Sequence, residues 1–98
     1  MPYAIQFTDK PDSAALRAST RPAHLEYLDA HKKMILAGGA LTHDDGTGGH
    51  GGIIILDTDD RAVAEKFVAD DPYSKAGLFA TVTVSRWRKV FFGGERLM

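Results

Sequence analysis

The chain contains no cysteine, which removes disulfides, iron–sulfur clusters and thiol catalysis and allows a cytoplasmic home. It also lacks charge of one sign: 12 Lys and Arg stand against 13 Asp and Glu, for a formal net charge of −1. No electrostatic footprint for nucleic acid or an anionic membrane follows from that balance. No apolar run approaches the roughly 20 residues of a spanning helix. The N-terminus has no basic segment followed by an apolar one, so no export signal is expected. What remains is an ordinary composition, 44% hydrophobic and 26% charged over 98 residues. It fits a single domain over residues 1–98 with one core, in which roughly a third or more of the extended-chain surface stays wet unless a partner subunit covers it.

Tyr3, Ile5 and Phe7 alternate with smaller or polar residues, the period-2 pattern of a strand with one buried face. Lys10-Pro11-Asp12 breaks it, and Asp12 or Ser13 can cap a short helical turn from Ala14 to Ala18. Thr20-Arg21-Pro22 reads as a second start, with Thr20 as cap and Pro22 in the first turn, where its missing donor costs nothing. The main helix is therefore expected from about Arg21 to Lys32, with Leu25 and Leu28 as its apolar stripe. Met34 to Leu41 reads as a second strand carrying Gly38 and Gly39, and Thr42 to Gly51 as a Gly-rich hairpin connection.

Gly52 to Asp57 is a third strand, whose consecutive Ile53, Ile54, Ile55 and Leu56 call for cover on both faces. Thr58-Asp59-Asp60 opens a helix to about Asp70, with Val63, Ala64, Phe67 and Val68 at helical spacing. Leu78 to Arg88 alternates again as a fourth strand, with Phe79, Thr81, Thr83 and Trp87 on the face away from Ala80, Val82 and Val84. Gly93 onward reads as a tail. The order β-α-β-β-α-β matches the α+β ferredoxin-like split βαβ sandwich, one antiparallel sheet with both helices on one face. Phe79, Trp87 and the third strand would make the other face too apolar for water, so a homodimer packed sheet to sheet is expected.

Asp71 follows Phe67 by four residues and Val63 by eight, so it continues the apolar side of the second helix. A buried carboxylate at a helix C-terminus needs a cationic or hydrogen-donating partner, and His24 is the candidate. Arg21, three residues before His24, shares its helical face and could clamp an anionic or phenolate group, or stand as a solvated surface arginine. Tyr73 and Ser74 could offer hydroxyls to a substrate oxygen, Tyr73 being better suited to packing, as an interface or core aromatic with a wet tip. His43, Asp44, Asp45 and His50 suit a metal by residue type, but they have no recognised spacing and nothing rigid holds them, so no metal is expected. Gly46-Thr47-Gly48-Gly49 is no phosphate loop, since no Gly-Lys-Ser/Thr follows.

Arg21-Pro22-Ala23-His24-Leu25-Glu26-Tyr27-Leu28, Leu36-Ala37-Gly38-Gly39, Asp71-Pro72-Tyr73-Ser74-Lys75-Ala76-Gly77-Leu78 and Trp87-Arg88-Lys89-Val90-Phe91 resemble the YciI-like (YCII-related) family over nearly the whole chain. The resemblance implies a dimeric α+β barrel-like packing of ferredoxin-like subunits and a pocket holding a His and an Asp that act as a catalytic pair, here His24 and Asp71. One relative removes chloride from a chlorinated hydroxyquinol. Ala40 stands where some members have proline after the strand glycine. Two functions stay open for this site: a cofactor-independent enzyme of lyase, isomerase or dehydrohalogenase type acting on a small molecule, or a dimeric module that binds a metabolite without chemistry. In a third case, a structural dimer without ligand, the His–Asp pair would be closed and dry.

Overall fold

The computed structural model describes residues 1–98. Its strands are β1 (Tyr3–Asp9), β2 (Ile35–Thr42), β3 (Gly49–Leu56), β4 (Phe79–Arg86), β5 (Phe91–Phe92) and β6 (Glu95–Arg96), and its helices are α1 (Ala14–Ala30), α2 (Arg61–Asp70) and the short α3 (Pro72–Lys75). The main sheet has the order β2-β3-β1-β4, every neighbouring pair antiparallel. With α1 and α2 on one face, this is the ferredoxin-like arrangement that the element order implies.

The alternation of β1 decides where the core sits. Tyr3, Ile5 and Phe7 are buried, and their register partners Leu56, Ile54 and Gly52 lie on the same face of β3. Ala64, Phe67 and Val68 of α2 complete the cluster, with Tyr27 and Leu28 of α1 packed against it. Gly52 is required by close approach: a Cβ there would stand 2.5 Å from the Phe7 ring. The stripe of α2 is thus Ala64, Phe67, Val68 and Asp71, while Val63 is exposed. Asp60 caps α2 by accepting from the Ala62 N–H at 2.9 Å.

Three expectations are corrected. First, Pro22 does not open a new helix. It lies inside one continuous α1, with Thr20 as an interior residue, so the short turn and the main helix are one element. Second, Phe79 faces the helices and not the bare face. A register shift between Thr8 and Asp9 pairs Asp9 with Phe79, and such a bulge reverses the alternation beyond it, bringing Phe79 against Phe7 with ring centroids 4.3 Å apart. The bare face therefore divides into a polar half, with Gln6, Thr8, Thr81 and Thr83, and an apolar half, with Ala37, Leu41, Ile53 and Ile55. Third, the tail folds back as the β5–β6 hairpin around Gly93 and Gly94, both at positive φ. No helix is long and apolar enough to cross a membrane.

Candidate active site

His24 is the one buried residue of α1, at 8% exposure, and it sits in the middle of that helix instead of at its start. The N-terminal dipole, which falls off within the first turn, therefore does not act on it. Its neighbour is supplied by the junction of α2 and α3. Asp71 ends α2 and caps α3, its Oδ1 accepting from the Tyr73 N–H at 2.9 Å. Pro72 cannot continue α2 but suits the first position of α3, and Gly77, at φ 76°, turns the chain into β4.

The His24 Nδ1 lies 2.8 Å from Asp71 Oδ1 and 3.0 Å from Oδ2. An ionised carboxylate only accepts, so Nδ1 carries a proton, and in the neutral imidazole Nε2 is the nitrogen with the lone pair. Asp71 is 1% exposed, and a buried carboxylate is tolerable because two donors face it. Tyr73, equally buried, stacks on the imidazole with centroids 3.8 Å apart and planes 13° apart. The ring orientation is thus held from two directions, by a hydrogen bond and by stacking. Burial raises the Tyr73 phenol above its ordinary value, Arg17 and Arg21 pulling it part of the way back.

A cavity of about 200 Å³ opens beside the imidazole, walled by Phe7, Arg17, Arg21, His24, Ala40 and Tyr73 among others. Arg21 stands at its rim with no ion-pair partner. Ser74 is not part of it: its hydroxyl donates to the Val68 carbonyl and ties α3 to α2.

Arg17 is the residue that sequence reasoning missed. Its NH1 donates to Asp9 Oδ2 at 2.7 Å and its NH2 to the Gly51 carbonyl at 3.3 Å, and its guanidinium lies 5.2 Å from the Tyr73 ring centroid. The spacing 17, 21, 24 is one helical face. Dividing the helix at Thr20 hid that signal. Asp9 Oδ1 is buried and makes no hydrogen bond. His43 and His50 approach across the β2–β3 hairpin with ring centroids 6.0 Å apart, but no three His, Cys, Asp or Glu side chains converge as a metal site would require.

The arrangement offers an oriented base with a free nitrogen, a buried carboxylate behind it and cationic groups beside the cavity. The chain is similar to the 5-chloro-2-hydroxyhydroquinone dehydrochlorinase TftG from Burkholderia phenoliruptrix AC1100, solved in complex with 2,5-dihydroxybenzoquinone: TM-score 0.84, 36% identity, covering 90% of this chain and 94% of that one. It is 34% identical to Protein YciI of Escherichia coli O6:H1 and 32% identical to an uncharacterized protein of Haemophilus influenzae, in each case over 93% of this chain and the full length of the relative. The YCII-related domain model matches residues 1–88, a span that includes every residue of the His24 pocket, and the chain belongs to that family.

Proposed function

We propose that this protein is a cofactor-independent small-molecule enzyme of lyase or isomerase type in which His24 moves a proton on an acidic, hydroxylated ring. The observation that carries this reading is the bond from His24 Nδ1 to a buried Asp71, which leaves Nε2 as the basic atom beside the cavity. Nε2 would take a proton from a substrate hydroxyl or an acidic C–H. Returning it at another atom gives isomerisation, and releasing it together with an anionic leaving group gives elimination, as the name of the TftG dehydrochlorinase describes for that enzyme. Neither outcome changes the overall oxidation level, so no redox cofactor is needed. Asp71 would steady the imidazolium while the proton is held. Arg21, uncompensated at the rim, would attract the enolate or phenolate form of the ring.

A dimeric module that binds a metabolite without chemistry is the second reading, favoured by the shelter of the pair under Tyr73. Proton exchange separates the two. A hydroxylated quinone such as 2,5-dihydroxybenzoquinone should exchange its ring hydrogens with deuterated solvent faster in the presence of the protein, and 5-chloro-2-hydroxyhydroquinone should release chloride. Both activities should fall by about 10²–10⁴ in His24→Asn. Saturable binding with neither activity would favour the module. On either reading the protein works in the cytoplasm as a homodimer, with Ala37, Leu41, Ile53 and Ile55 on the apolar half of the bare face meeting a second copy.

A further inference from the structure

The cavity at His24 is small beside the pockets that hold larger ligands. Ligand pockets commonly occupy about 300–1,000 Å³, and the space beside the imidazole is about 200 Å³. It does not end there. Leu25, Leu28, Gly38 and Ile54 also line a second hollow of about 660 Å³, which runs between α1 and β2 past Ile35 and Pro22 toward a rim of Glu26, Asp29 and Lys32. The two spaces share those four residues as a common wall.

The hollow exists because the sheet supplies too little bulk beneath α1. On β2 the helix-facing positions opposite Ile54 and Gly52 are Gly38 and Ala40. Leu25, adjacent to His24, is left 44% exposed over this gap, and Leu28, one turn beyond His24, reaches the core only in part. An apolar wall, an apolar floor of Ile35 and Ile54, and charges at the outer rim describe an open, shallow groove that suits hydrocarbon on one side. From Gly38 to Ile35 it follows the strand for about 10 Å.

We infer that the substrate is amphipathic: an acidic hydroxylated ring seated at His24 and Arg21, carrying an apolar alkyl or aryl substituent that passes Gly38 and lies between α1 and β2. This rests on the proposed function for the ring and adds the substituent. Gly38 lies where the two spaces meet, and a Cβ there would be in contact with Ile35 Cγ2 and Ile54 Cγ1, 3.6 Å from each, so a larger side chain takes up room that the substituent would use.

The test uses 2,5-dihydroxybenzoquinone and its methyl, butyl and heptyl ring derivatives, titrated into the full chain by calorimetry and by backbone amide NMR. Full burial of a methylene tightens binding by about fourfold, and the open side of the groove reduces that. The butyl compound should bind at least about tenfold more tightly than the parent, with amide shifts extending from His24 to Leu28 and Ile35. In Gly38→Val the ratio of parent to heptyl Kd should collapse toward one, in protein whose amide spectrum remains folded. If the parent binds at His24 but the wild-type series is flat, or if the chain-dependent shifts fall on Ile53 and Ile55 of the opposite sheet face, the inference is overturned while the proposed function stands. If the parent itself does not bind, the proposed function fails and the amphipathic substrate fails with it.

Discussion

Replacing Asp71 with asparagine and with alanine should separate what the carboxylate does for the fold from what it does for the imidazole. Asp71 Oδ1 serves two donors, the Tyr73 N–H and His24 Nδ1. Alanine removes the cap of α3, worth about 1 kcal/mol, and leaves a buried imidazole N–H unpaired, worth a further 1–3 kcal/mol, roughly. A loss of about 2–4 kcal/mol is expected, a large part of the stability of a domain this size. Asparagine keeps an oxygen for the Tyr73 N–H, so its cost should be about 1 kcal/mol. Its amide, turned toward His24, donates where the carboxylate accepted. An N–H at the Oδ2 position, 3.0 Å from Nδ1, favours Nδ1 as acceptor and a proton on Nε2, the atom that the proposed reaction needs free.

Asp71→Asn should therefore remain folded, show the Nε2-protonated tautomer by nitrogen-15 NMR of the imidazole, and lose proton-exchange activity by about 10²-fold or more. Urea denaturation and the exchange assay on both variants read the two effects independently. An asparagine variant with wild-type activity would refute the argument that Asp71 sets the tautomer, and equal stability losses in the two variants would refute the capping argument.

Arg17→Met should cost about 3–5 kcal/mol, because it strands the Asp9 carboxylate, which is already without a partner at Oδ1; Arg17→Met combined with Asp9→Leu should recover most of that in the same denaturation assay. Arg21→Ala, which breaks no ion pair, should leave stability within about 0.5 kcal/mol and weaken binding of an anionic ring by about tenfold in calorimetry. Tyr27 donates to the Phe67 carbonyl at 2.7 Å, and its pKa is pushed up to about 12 by burial first and then by Asp70 and Asp71. The folded state thus holds the neutral phenol after the unfolded chain has ionised, so stability should fall as pH rises from about 10 to about 12, and a Tyr27→Phe variant should lack that loss in alkaline melts. Ile55→Lys, on the bare face, should give a folded monomer by light scattering, whereas Ile54→Lys, in the core, should fail to fold.

The amino-acid order alone determined the four strands of the main sheet and the presence of α2, because both signals are local. Alternation in Tyr3, Ile5 and Phe7 and helical spacing in Ala64, Phe67 and Val68 report burial one residue at a time, and the carboxylate of Asp71 on an apolar stripe announced a buried partner. It did not determine which side Phe79 takes, since a bulge is one extra residue in a strand and shows only against the register of its neighbour. Nor did it reveal Arg17. The Thr20-Arg21-Pro22 segment has the local chemistry of a helix start, and packing of the whole of α1 along the sheet overrode it, carrying Arg17, Arg21 and His24 onto one face. The size of the binding space was equally out of reach. Gly38 and Ala40 are small residues in a strand until α1 is laid over them, and only then does their missing bulk become a cavity joined to His24.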